Sequence, residues 1–217
     1  MPLPFGSNPD HPLTDHPVIR AERLVCRNEC LGRTSSIPAI PGIYAWYFDL
    51  VPSLVPLEGC HTVDGWTLLY VGISPKGDPC NGAPPSRQTL RSRIAQHFSG
   101  NAEGSTLRRT LGILLADATR FPLRRVGSGR RMTFTHPGEQ ALDRWLEEHA
   151  RVCWFHDPQP WLAEEELIQG LSLPLNLLGN DHHPFFPTLR DLRKQAIAVA
   201  RSLPIVSEVG QPRRIRT

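Results

Sequence analysis

The sequence predicts an α+β sandwich: a small, three-stranded, mainly antiparallel sheet with helices on both sides and extra helices at each end. Two short runs, 41–48 and 67–73, are rich in β-branched and aromatic residues and bounded by glycine or proline, as buried strands are. Val152-Cys153-Trp154-Phe155 supplies a third strand. Apolar residues recur at helical spacing in the segments around these runs.

Residues 1–17, rich in Pro, His and Asp, read as a draped or poorly ordered arm, and 18–27 as a short helix. Residues 32–41 link this arm to the first strand, so 1–38 form an N-terminal extension. In the first strand Gly42, Tyr44 and Trp46 share one face. A glycine on the same face as a tyrosine, as Gly42 is with Tyr44 and Gly72 with Tyr70, leaves room by the phenol for something large, such as a substrate backbone. The long connection to the second strand contains Pro52, Pro56, Gly59 and Asp64-Gly65 and reads as a loop or extended hairpin. A second Gly- and Pro-rich loop, 75–86, carries Lys76, one of only two lysines against 22 arginines.

Residues 88–99 form a helix whose buried stripe is Leu90, Ile94 and Phe98. Arg93 and His97 lie one turn apart on a neighbouring face. Two adjacent cations there repel each other unless an anion lies between them. Ser105 or Thr106 caps a helix running to about residue 117, with Arg108 and Arg109 in its first turns. Cations at that end oppose the helix dipole, so gripping phosphate is a reason for them to be there. Residues 120–131 read as a basic loop, 131–135 as a strand and 137–149 as a helix. Residues 157–160 open a helix in which Glu164 falls within the apolar stripe set by Trp161, Ile168 and Leu171, while Glu165 and Glu166 turn outward. A carboxylate so placed needs a salt bridge or a cation. Asn176 follows in a turn, 180–184 form a polar loop, and 188–202 an amphipathic helix with a basic tail behind it.

At 217 residues, 40% hydrophobic and 21% charged, the chain has the composition of one globular domain with extensions. No apolar run is long enough to span a bilayer and no signal sequence opens the chain, so the expected location is the cytoplasm. Five cysteines at 26, 30, 60, 80 and 153 have no zinc-knuckle spacing and read as reduced thiols; Cys26, Cys30, Cys60 and His61 are the remaining zinc option. Net charge is +3, but ten arginines fall between 87 and 131 against two acids, and eight acids between 139 and 166 against two arginines. A basic middle and an acidic helical region suit a protein that holds phosphates and a cation together. Solvated helix faces are the other explanation.

Gly42-Ile43-Tyr44 and Tyr70-Val71-Gly72 resemble the two half-motifs of the GIY-YIG nuclease superfamily. The remaining positions of that pattern follow in order as Arg93, His97, Glu164 and Asn176, so the resemblance spans about residues 40–178. Tyr44 and Tyr70 are separated by a long insertion, a layout similar to that of GIY-YIG type II restriction enzymes. The resemblance implies a nuclease domain over 39–180, with 181–217 as a flanking helix and tail. It further implies metal-dependent hydrolysis of DNA, with RNA as the other option and a homodimer as an allowed state. Tyr44 would take a proton from water, Arg93 and His97 would flank it, Tyr70 would hold phosphate or water, and Asn176 would brace the site. Glu164 would hold Mg²⁺ or Mn²⁺, and Lys76, Arg108 and Arg109 would contact nucleic acid. A non-cleaving binding protein on the same scaffold, or a nuclease subunit targeted by a partner, are the alternatives.

Overall fold

A computed structural model of the chain describes residues 13–76 and 86–207. The far N-terminal arm, most of the second Gly/Pro loop with Cys80, and the basic tail lie outside the described residues. The strands are β1 (Gly42–Phe48), β2 (Thr62–Val63), β3 (Trp66–Ser74), β4 (Arg124–Val126), β5 (Arg131–Thr133) and β6 (Ala150–His156). The helices are α1 (Arg27–Leu31), α2 (Leu90–Ser99), α3 (Thr106–Leu114), α4 (Ala116–Thr119), α5 (Thr135–His149), α6 (Pro160–Gly170) and α7 (Phe186–Ser202).

The main sheet has four antiparallel strands in the order β2-β3-β1-β6, one more than the sequence suggests. The extra strand comes from Asp64-Gly65, both at positive φ, a two-residue turn that folds Thr62-Val63 back on Trp66-Thr67. The sequence shows the turn but gives only two residues of strand before it.

Every residue of β1 is buried, and its two faces enter separate cores. Tyr44, Trp46 and Phe48 pack with Leu90, Ile94 and Phe98 of α2, Leu107 and Leu111 of α3, and Leu142 and Leu146 of α5. Ile43, Ala45 and Tyr47 pack with Ala163, Leu167 and Ile168 of α6 and with Val18 and Ile19 of the N-terminal extension. Each fully buried large apolar side chain contributes about 1.5–3 kcal/mol, which makes this two-sided burial the main fixative of the sheet. A register shift beside Trp46 leaves Leu69 as the extra residue of β3. Leu69 and Tyr70 consequently both face the α2 side.

Three further expectations change. The helix expected over 18–27 starts only at Arg27, because Val25 is held extended by paired backbone bonds to Val152 (2.9 and 3.0 Å). α3 stops at Leu114, and the rest of its expected length forms the separate α4, ended by Arg120 in a left-handed conformation. The basic stretch 120–131 holds the ladder of β4 and β5, turned by Gly127 and Gly129 at positive φ. Among the described residues no helix is long and apolar enough to cross a membrane.

Candidate active site

Tyr44 stands opposite Gly72 across the β1–β3 ladder. A Cβ on Gly72 would lie 2.6 Å from the Tyr44 hydroxyl, so the glycine exists to admit that phenol. The space expected beside Gly72 is thus filled by the tyrosine of the neighbouring strand, and that beside Gly42 by the Phe155 carbonyl and Leu90.

α2 supplies the next two groups. Thr89 caps it, accepting from the Ser92 amide, and Leu90, Ile94 and Phe98 anchor it to the sheet. That docking turns Arg93 and His97 toward β1, where they are 3% and 0% exposed. Between them lies the Tyr44 hydroxyl: Arg93 Nε donates to it at 3.3 Å, and His97 Nε2 is 2.8 Å away. The pair is therefore not two repelling cations. Burial, with Arg93 and Arg108 nearby, holds His97 well below its ordinary value, so it is neutral at pH 7. His97 Nδ1 meets Ser105 Oγ at 2.7 Å, and the same oxygen caps α3 by accepting from the Arg108 amide. Burial pushes the Tyr44 phenol up to about 12 against the pull of Arg93.

A cavity of about 380 Å³ opens over this pair, lined by Tyr44, Tyr70, Lys76, Arg93, Glu164 and Asn176 among others. Six of the nine residues expected at the site thus meet, five of them with side chains carried by β1, β3, α2, α6 and the turn after α6. His97 stands behind Tyr44. Glu164 forms no hydrogen bond or ion pair among the described residues, and burial raises its carboxyl to about 7 although Lys76 and Arg93 pull it down. Among the described residues no salt bridge accounts for this carboxylate. Glu165 and Glu166 are exposed, with Glu165 at the cavity mouth.

Asn176 works on backbone. β2 is too short to cover the outer edge of β3, and Asn176 fills the gap by accepting from the Val71 amide and donating to its carbonyl, both at 2.9 Å. Leu175 adds a backbone bond to Leu69 (3.1 Å). This clamp fixes the Tyr70–Gly72 segment on which the site is built. The Tyr70 hydroxyl bonds to no described residue, and burial followed by Tyr44 raises it far above an ordinary phenol. Lys76 is exposed at the rim.

Arg108 does not belong with these residues. It is fully buried, paired with Glu139 (2.7 Å) and Asp143 (2.8 Å), and bonded to the carbonyls of His97 and Phe98. No phosphate reaches it. Arg109 pairs with Glu103 (2.9 Å) and the Ala102 carbonyl outside the cavity. A cation the sequence reading passed over is Arg193 on α7. It is half-buried, donates to Thr110 Oγ1 (2.6 Å) and the Thr106 carbonyl (3.4 Å), and forms no ion pair among the described residues. Burial and Arg109 lower it to about 10. Thr106 itself lines the cavity. Only a helical wheel of 188–202 could have pointed to Arg193, since it lies beside the buried stripe.

The zinc option finds no support in the geometry. Among the described residues no cluster of three His, Cys, Asp or Glu side chains is placed to hold a metal. Cys60 instead bonds the Pro56 carbonyl and Ser172.

The family model for the GIY-YIG catalytic domain matches residues 42–195, more than two thirds of the chain. No curated protein and no solved structure matches it.

Proposed function

Because the chain belongs to the GIY-YIG catalytic-domain family, we propose that it is a divalent-metal-dependent endonuclease whose substrate is DNA. The observation that carries this reading is the Tyr44 hydroxyl held between Arg93 and neutral His97 at the floor of a cavity that also contains a carboxylate with no partner among the described residues. In the productive tautomer His97 donates Nδ1–H to Ser105, which leaves Nε2 to accept the Tyr44 proton. Tyr44 then takes a proton from water as it passes its own to His97, and the water oxygen attacks phosphorus as the P–O bond to the leaving oxygen breaks, that oxygen taking up a proton from solvent. With its phenol raised to about 12, Tyr44 is not a standing phenolate at pH 7, so this hand-over is what makes it a base. Arg93 stabilises both the charge that grows on the phenol and that on the phosphoryl oxygens. Its Nη1 is fixed by the Gly104 carbonyl (2.9 Å), and Nη2 bonds to no described residue.

The lone carboxylate fits a hard cation of the Mg²⁺ or Mn²⁺ kind, which takes one or two protein carboxylates and fills its shell with water and phosphate oxygens. Glu164 would hold that ion, with Glu165 a second carboxylate that lines the cavity. The chemistry it supplies when bound is charge neutralisation at the leaving oxygen. Tyr70 hydrogen-bonds a phosphate oxygen, Asn176 positions Tyr70 through β3, and Lys76 meets a flanking phosphate at the rim. The test is incubation with plasmid, single-stranded DNA and RNA, each with Mg²⁺, Mn²⁺ or EDTA. Cutting of DNA that EDTA abolishes is expected. Absence of cutting, or cutting that survives EDTA, overturns the reading.

A further inference from the structure

One side chain at the cavity is far more exposed than any other large apolar side chain among the described residues. Leu178 is 91% exposed, although it lines the same cavity as Tyr44, Arg93 and Glu164. Its apolar surface stays in water, where burial would be favourable, so a slack loop would turn it inward. This loop is not free to do so. Asn176 pins one stem to Val71, and buried Asn180 ties the other by donating to the carbonyls of Leu173 (2.8 Å) and Asn176 (3.1 Å). Gln169 of α6 holds the Gly179 carbonyl (3.1 Å), and Gly179 at φ +72° turns the chain directly after the leucine. Three amide side chains thus hold one apolar side chain out over the site.

Leu177, Ile168 and Trp161 line the cavity as well, so it has an apolar part beside its charged part. Phosphates have no use for such a surface. The apolar faces of a nucleic acid are its bases, which an aliphatic wedge can part or an aromatic ring can stack upon. Continuity with the cavity that holds Arg93, Lys76 and Glu164 selects a base as occupant over a second protein surface.

We propose that Leu178 is a wedge that enters the base stack beside the phosphodiester held in the cavity, opening the step so that the backbone can be attacked in line. This rests on the phosphodiesterase reading above. The test uses a duplex carrying a position that the wild-type protein cuts, and the same duplex mismatched at that step. Leu178→Ala removes the wedge without touching a buried contact, and Leu178→Met keeps an apolar wedge. Loss of the side chain should slow cutting of the paired duplex about tenfold, part of the cost of unstacking one step. The mismatched duplex, already open, should lose less than about twofold, the range of a neutral surface change. Leu178→Met should follow the wild type on both. Equal losses on the two duplexes, or no loss on either, overturn the wedge and leave hydrolysis standing. Should the wild type cut no DNA at all, 2-aminopurine duplexes provide the second reading. A fluorescence rise on binding that Leu178→Ala lacks retains the wedge while the hydrolytic reading falls, and no rise with bound protein removes the wedge.

Discussion

Arg93 on α2 and Arg108 on α3 are both buried arginines within reach of His97, yet they have opposite surroundings. Arg108 meets two carboxylates and three backbone carbonyls, so its charge is consumed by the joint between α3 and α5. Arg93 meets a phenol and one carbonyl, and its remaining edge faces a cavity. A buried cation without an anion costs stability unless something else compensates it. On the proposed reading the fold tolerates Arg93 because an anionic phosphate enters the cavity, whereas Arg108 needs none. Partners, not the count of arginines, separate a site from a strut.

The comparison can be broken at several points. The largest effect on activity is expected from Glu164→Gln, which removes the carboxylate while keeping its shape; cutting should fall below detection with DNA binding retained. A plasmid assay beside a gel-shift assay decides it, and normal cutting by this variant would remove Glu164 from the site. Next come the two arginines. Arg93→Ala should slow cutting about 10²–10³-fold with a near-normal melting temperature, since it withdraws a donor from the developing charge. Arg108→Ala should instead lower folding stability by about 3–5 kcal/mol, the cost of breaking its buried pair with Glu139. Urea titrations and rates measured on folded protein separate these outcomes. The same damage from both variants would erase the distinction.

Much of this contrast was readable beforehand. The alternation in 41–48 and the Leu90-Ile94-Phe98 stripe place Tyr44, Arg93 and His97 on facing surfaces, because burial of the stripe fixes the helix rotation. The Trp161/Ile168 spacing likewise selects Glu164 over Glu165 and Glu166. Arg108 was misread because a helix-dipole argument considers only its own helix. Glu139 and Asp143, one turn apart on the buried side of α5, were the missing signal, and only tertiary docking brings them to it. Gly72 was misread for a related reason: the space a strand glycine opens belongs to its cross-strand partner, and the register of β1 on β3 is not written in either strand alone. Leu178 gave no signal, being an ordinary loop leucine until its neighbours are in place, and Arg193 gave only its place beside the buried stripe of 188–202.

A pH measurement sharpens the view of Glu164. Its carboxyl is raised from 4.5 to about 7, so without metal the folded state binds the proton more tightly than the unfolded one. That contribution to stability is complete below 4.5 and is lost as pH rises through about 7. Chemical denaturation in EDTA should show this decline, and Glu164→Gln should flatten it. A decline of equal size in the variant would assign it to other groups. The smallest effect is expected at Arg193. Arg193→Ala should weaken DNA binding and reduce its salt slope by about one unit, with little change in the rate at saturating DNA. An unchanged slope would make Arg193 a strut of the same kind as Arg108.

Tyr44 carries the most weight, and one substitution isolates it. Tyr44→Phe keeps the ring between Arg93 and His97 and removes only the hydroxyl that relays the proton. Single-turnover cutting by this variant, at enzyme concentrations that saturate DNA, should be slower by about 10²–10⁴-fold with affinity and melting temperature nearly unchanged. A Tyr44→Phe protein that cuts at the wild-type rate would contradict the account at its centre.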